Sequence, residues 1–188
     1  MNMTTYLSID IEADGPIPGP HSMLSFGAAA YQLTNNDKGW AEIATFKRNL
    51  TPLPGATPDP DTAAWWKTQP EAWEAATKDP VSPEQGMADF ATWLQKLPGT
   101  VVVCGYPVTF DFLFVYWYYV RFNKKKPPFS HSGLDIKTLA MVQMNVPYYQ
   151  ATKRNMPRRW FRDTPRHTHD ALDDARGQGI LLMNILND

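Results

Sequence analysis

The run Val101-Val102-Val103-Cys104 restricts the fold more than any other segment. Unbroken apolar, mostly β-branched residues suit a central strand buried in a sheet. A sheet with helices packed on it follows, which puts the chain in the mixed α/β class. Thr4–Ile11 (TTYLSIDI) alternates apolar and polar residues and predicts a strand. Met23–Leu33 and Glu42–Leu50 predict two more, joined by a turn over Asn35–Gly39. These three strands make an antiparallel meander. Between the first two, Asp14–Pro20 holds three prolines and two glycines and must be a loop.

Thr51–Pro60, with four prolines and one glycine, is a connector. Asp61–Lys78 reads as helix interrupted at Pro70. Ser82–Leu97 is a helix with Ser82 as N-cap, Pro83 at its first position and an apolar stripe of Met87, Phe90, Ala91 and Leu94. Phe110–Phe122 is a strongly apolar helix capped by Thr109. Leu134–Val142 begins as a strand and becomes a helix. Asn145–Arg166 is irregular, and Asp170–Leu186 is a final amphipathic helix with Leu172, Ala175, Gly179, Leu182, Met183 and Leu186 on its apolar side. At 188 residues, with no internal repeat, this is one domain.

Cys104 is the one cysteine, so no internal disulfide forms. A buried thiol is expected, in keeping with a reducing, cytoplasmic setting. The N-terminus carries no basic, apolar leader, and no stretch is long enough to span a bilayer. Net charge is −1, yet Arg121 to Arg166 contains eleven lysines and arginines against Asp135 and Asp163. That asymmetry fits either a phosphate-rich ligand or a basic solvated face.

Asp10-Ile11-Glu12 ends the first strand. Residues two apart share a face, so the two carboxylates lie together and repel unless water or a cation relieves them. An oxygen-only pair suits Mg²⁺ or Mn²⁺. Asp111 opens an apolar helix after the buried strand, where it is either a ligand or an acid stabilised by the helix dipole. In the last helix, Asp174 lies roughly 120° from the middle of the apolar stripe. It can border the core and still reach a site at the rim. Asp170 is its competitor and is expected to be the N-cap. His169 precedes the helix. His167-Thr168-His169 offers a zinc pair, but no cysteine or third histidine lies near in sequence.

Taken in order, Asp10-Ile11-Glu12, Phe110-Asp111 after the Cys104 strand, and His169 followed five residues later by Asp174 resemble the DEDDh branch of the DnaQ-like 3′→5′ exonucleases. Leu134-Asp135-Ile136-Lys137-Thr138-Leu139 is similar to that family's Asp-x-x-Thr-Leu stretch. Trp65-Trp66-Lys67-Thr68-Gln69 resembles an element of exonuclease VIII-like and mycobacterial exoribonuclease-like members, and a core helix with two tryptophans explains it equally well. The tyrosine variant of the family has tyrosine four before its last aspartate, where this chain has Asp170. Two departures bear on substrate contacts. Ala13-Asp14-Gly15 stands where Thr-Gly is common, and Tyr106-Pro107 where His-Asn is common.

The resemblance implies a ribonuclease H-like fold: a mixed five-stranded sheet of antiparallel meander and parallel strands, with helices on both faces. It implies metal-dependent release of 5′-mononucleotides from the 3′ end of single-stranded or overhanging RNA or DNA, and it allows a homodimer. Two divalent cations, Mg²⁺ or Mn²⁺, would be held by Asp10, Glu12, Asp174 and Asp111, with His169 as general base. Met23 or Leu24 would line the terminal-nucleoside pocket or pack in the core. Arg158 and Arg159 would meet phosphates, and Trp160 would stack on a base or tuck into the core. The rivals are a non-catalytic nucleic-acid-binding module on the same fold and a metal phosphohydrolase of small nucleotides.

Overall fold

The computed structural model describes residues 3–34, 39–123 and 125–188. The expected turn at 35–39 therefore lies outside the described residues except for Gly39, and Lys124 does too. In chain order the elements are β1 (Thr4–Ala13), β2 (Met23–Leu33), β3 (Trp40–Asn49), α1 (Pro60–Trp66), α2 (Pro70–Thr77) and α3 (Pro83–Leu94). There follow β4 (Thr100–Gly105), α4 (Val108–Tyr118), β5 (Leu134–Asp135), α5 (Ile136–Met144) and α6 (Ala171–Leu186). The five strands form one sheet in the order β3-β2-β1-β4-β5. β1, β2 and β3 are antiparallel neighbours, while β4 and β5 run parallel to β1.

Alternation along β1 divides the core. Leu7, Ile9 and Ile11 join Val103, Phe26 and Ala28 beneath α3 and α4. On the opposite face, Ala29, Tyr31 and Cys104 pack against α5, α6 and Trp160. Cys104 is a free, buried thiol, as its apolar run predicts. Pro70 does split the expected helix, giving α1 and α2. Ser82 caps α3 by accepting from the Gln85 N–H. The irregular stretch resolves into short 3-10 turns at Tyr148–Gln150, Lys153–Asn155 and Arg158–Phe161.

Three local expectations need correction. α4 begins at Val108, so Thr109 is not its cap. The carboxylate of Asp135 takes that part: one oxygen accepts from the Val108 N–H at 3.0 Å, the other from the Thr138 N–H at 2.7 Å. One side chain at the end of β5 thereby satisfies the starts of both α4 and α5. The buried face of α6 is also rotated from the expected stripe. Leu186 is exposed and Leu172 half-buried, while Asp174 and Gln178 are inside. Third, α4 does not run unbroken to Phe122, because its last residues wind into a π-helical turn over Tyr119–Asn123.

Two features set up the end of the sheet. β1 pairs with β4 only over Thr4–Ser8, whereas its pairing with β2 runs on to Ala13. The β4-side edge of Ile9–Ala13 is thus open to side chains. Secondly, Gly27 of β2, the partner of Asp10, lies directly under the start of α6. A Cβ there would collide with the backbone of Ala171 and Leu172. Gly27 lets α6 descend onto the strand that carries the acids. Gly27→Ala is expected to cost about 1–3 kcal/mol through overpacking against backbone. Denaturant unfolding checks this, and an unchanged midpoint would mean that α6 has room to move.

Candidate active site

Asp10 and Glu12 stand on the α6 side of β1, at the strand end left free by β4. Asp174, in the first turn of α6, meets them there: carboxylate oxygens of Asp10, Glu12 and Asp174 all lie within 4.8 Å of one another. Asp111 enters from α4, and its Oδ1 accepts the Ile11 N–H at 3.1 Å. That bond satisfies a backbone donor for which β4 supplies no ladder partner. Gln178, one turn beyond Asp174, donates to Asp10 Oδ1 at 2.6 Å and accepts from the Tyr106 N–H at 2.6 Å. It holds one oxygen of Asp10 in a fixed direction.

The electrostatics follow from this crowding. Burial, then repulsion from Asp111, Glu12 and Asp174, raises Asp10 well above the ordinary carboxylate range. Burial, with Asp174 and Asp111 adding to it, pushes Glu12 up to about 8. Burial pushes Asp111 up to about 7, against the pull of its hydrogen bond from Ile11. Lys153 opposes the rise at Asp10 and Asp111, and Lys47 opposes it at Glu12. These lysines relieve the repulsion without removing it. Buried, mutually repelling oxygens with this shortage of positive charge fit a hard divalent cation.

The segment before α6 wraps around Asp174. The N–H groups of Thr168 and His169 donate to its Oδ1 and Oδ2 at 3.2 and 3.1 Å, and His167 Nδ1 lies 2.8 Å from Oδ1. His169 adopts φ +57°, a left-handed conformation uncommon for a non-glycine residue. Its imidazole lies edge-on to Trp65 with ring centres 5.0 Å apart. Burial, then the neighbouring His167, lowers its pKa below the usual imidazole value, with Asp174 opposing. A neutral ring at neutral pH can accept a proton. Asp170 is the N-cap as expected, accepting from the Leu172 and Asp173 N–H groups, and it also pairs with Lys47.

Asp10, Glu12, Asp111, Asp174 and His169 are therefore brought together, and the remaining sequence-selected residues are not. Trp160 is buried, and its indole donates to Asp188 at 2.9 Å, so it has no ring face to offer a base. Arg159 makes two bonds to the same carboxylate. Together they hold the Asp188 side chain, and Arg158 remains exposed. Met23 and Leu24 are buried; the Met23 N–H donates to the Tyr118 hydroxyl and Leu24 packs with Trp66. Sequence reasoning missed Gln178, Lys153 as the lysine facing the acids, and Trp65 as the neighbour of His169. A signal existed for Gln178: it is a polar residue four positions after Asp174 on a helix whose same side is apolar.

This fold is that of the ribonuclease H-like DEDDh exonucleases. One solved relative, the nuclease domain of 3′hExo, a DEDDh family member bound to rAMP, superposes with a TM-score of 0.65 at 16% identity, over 98% of this chain and 90% of that one. A 3′-exonuclease solved in 3′-end-specific recognition of a histone mRNA stem-loop superposes with a TM-score of 0.70 at 16% identity. That match takes in all of this chain and 64% of that one. In sequence, the chain is 29% identical over 180 residues to the 3′-5′ DNA exonuclease Cap18 of Escherichia coli, covering 94% of this chain and 88% of that protein. Residues 5–186 match the Rv2179c-like 3′-5′ exoribonuclease domain. The chain belongs to that family and is a 3′→5′ exonuclease.

The raised carboxyl groups predict a pH effect on the cation-free protein. Glu12 titrates near 8 when folded and near its ordinary value of 4.5 when unfolded. Between those values the folded state binds more protons, so stability falls as pH rises. In EDTA, Tm should drop between about pH 5 and 8, and saturating Mn²⁺ should restore most of the loss at the upper end. A flat profile in EDTA would mean that the acids are not forced together.

Proposed function

We propose that Asp10, Glu12, Asp111 and Asp174 hold two divalent cations, Mg²⁺ or Mn²⁺, and that His169 acts as general base in removing 5′-mononucleotides from a 3′ end. The observation carrying this reading is the convergence of Asp10, Glu12 and Asp174 beside an imidazole whose pKa is lowered. Two such ions, when bound, supply positive charge to the phosphate and make a water more acidic. The chain's own residues do the rest. Gln178 fixes the Asp10 oxygen, and the Ile11 N–H fixes Asp111. His169 takes a proton on its ring nitrogen from the attacking water. Trp65, packed against that ring, limits its rotation. Lys153, whose field reaches Asp10 and Asp111, is placed to meet a substrate phosphate.

The substrate we infer is a single strand or 3′ overhang, processed by one domain spanning residues 1–188. Cap18 is named as a DNA exonuclease and the family as exoribonuclease, so both sugars enter the test. The buried, free Cys104 suits a reducing compartment, and the proposed location is the cytoplasm. Among the described residues, no helix is long and apolar enough to cross a membrane.

The assay uses matched 5′-labelled RNA and DNA strands with Mg²⁺ or Mn²⁺. Stepwise shortening from the 3′ end is expected, halted by EDTA. His169→Ala and Asp10→Ala should lower the rate by about 10²–10⁴-fold with the fold intact. Cleavage of circular strands, or activity indifferent to EDTA, would refute the proposal. For Lys153, replacement by Ala should weaken strand binding and reduce the log–log salt slope by about 0.7. An unchanged slope would remove Lys153 from the phosphate path.

A further inference from the structure

Asp174 belongs to two sets of converging ligand atoms. One is the oxygen-only group with Asp10 and Glu12. The other is His167, His169 and Asp174, whose donor atoms also lie within 4.8 Å of one another. The sequence shows a His-Thr-His pair with no third histidine or cysteine beside it, and the fold supplies the third ligand. The N–H groups of Thr168 and His169 clamp the carboxylate, His167 Nδ1 already sits 2.8 Å from Oδ1, and the two imidazole centres are 4.3 Å apart. Two ring nitrogens and one oxygen are softer donors than three carboxylates. They favour Zn²⁺ over Mg²⁺. Four-coordinate zinc with bonds of about 2.0–2.1 Å needs ligand atoms roughly 3.3 Å apart. The three donor atoms lie within 4.8 Å of one another with one pair already at 2.8 Å, and the His167 side chain is 61% exposed.

We propose that His167, His169 and Asp174 form a zinc site that switches the enzyme off. With zinc in place, a His169 ring nitrogen and an Asp174 oxygen are committed to the ion, and the fourth position is left to water. The carboxylate centre loses a ligand and the reaction loses its base. The switch rests on the exonuclease reading above, whereas the binding site itself does not. His167 is not among the ligands of the proposed carboxylate centre, so metal binding at His167 can be read apart from cleavage.

The experiment titrates Co²⁺ and Zn²⁺ into the metal-free full chain and follows the visible absorption of tetrahedral cobalt. Wild type, Asp10→Ala and His167→Ala are compared, with circular dichroism to confirm folding. Wild type and Asp10→Ala should develop the band and lose it on addition of Zn²⁺. His167→Ala should bind about 10-fold more weakly or not at all. In parallel, Zn²⁺ is titrated into Mg²⁺-supported cleavage. Wild type should be inhibited, and His167→Ala, measured against its own zinc-free rate, should need about 10-fold more Zn²⁺ for the same fractional inhibition. A band of wild-type affinity in His167→Ala, or one that vanishes in Asp10→Ala, would overturn the site. Normal binding by wild type with no inhibition would overturn the switch. If the chain lacked nuclease activity, the cobalt titration would still decide the site.

Discussion

Repulsion among buried carboxylates is the constraint around which this molecule is arranged. Asp10, Glu12, Asp111 and Asp174 come from three separate segments, and the first three would be easier to accommodate in water. The sheet forces the first two together by placing them two apart on one strand. Gly27 lets α6 settle close enough to add Asp174. Asp111 arrives because β4 stops short of the end of β1 and leaves the Ile11 N–H to be satisfied by a side chain. Scaffold stability, from two apolar layers on either side of the sheet, offsets the cost of keeping these groups near one another.

A single carboxylate links the chemistry to the loop beside it. Asp174 faces Asp10 and Glu12 on one side and is wrapped by His167, Thr168 and His169 on the other. The conformation of His169, with positive φ, is held by that wrapping and by the Trp65 contact. Loop and carboxylate cluster are therefore mechanically coupled: whatever moves Asp174 also moves His169. The same sharing explains why a softer ion on the histidine side would interfere with a hard one on the carboxylate side.

Sheet and helix periodicity made most of the fold legible. The alternation of Thr4–Ile11, the buried Val101–Cys104 run and the Pro70 break correspond to β1, β4 and the α1–α2 boundary. The acids were visible through their spacing and order. Less visible were contacts that depend on long-range geometry. Gln178 reaches Asp10 across 168 positions; its place four after Asp174 marks the residue but not its partner. The Asp135 cap on α4 is of the same kind, since it crosses from one segment to another. In the basic stretch, composition correctly marked an excess of charge but could not sort its members. Lys153 faces the acids, whereas Arg159 and Trp160 are occupied by Asp188. Charge density is a sum over residues, and which cation meets a ligand is decided by the turns that carry it.

The central claim is that Asp10, Glu12 and Asp174 are gathered to hold a hard divalent cation. Crystals soaked in Mn²⁺, with diffraction recorded at the manganese absorption edge, test it without reference to activity. The account predicts an anomalous peak bounded by oxygens of those three residues, and loss of that peak in Asp10→Asn crystals of the same form. No peak there at saturating Mn²⁺, or one that persists unchanged without the Asp10 carboxylate, would contradict it.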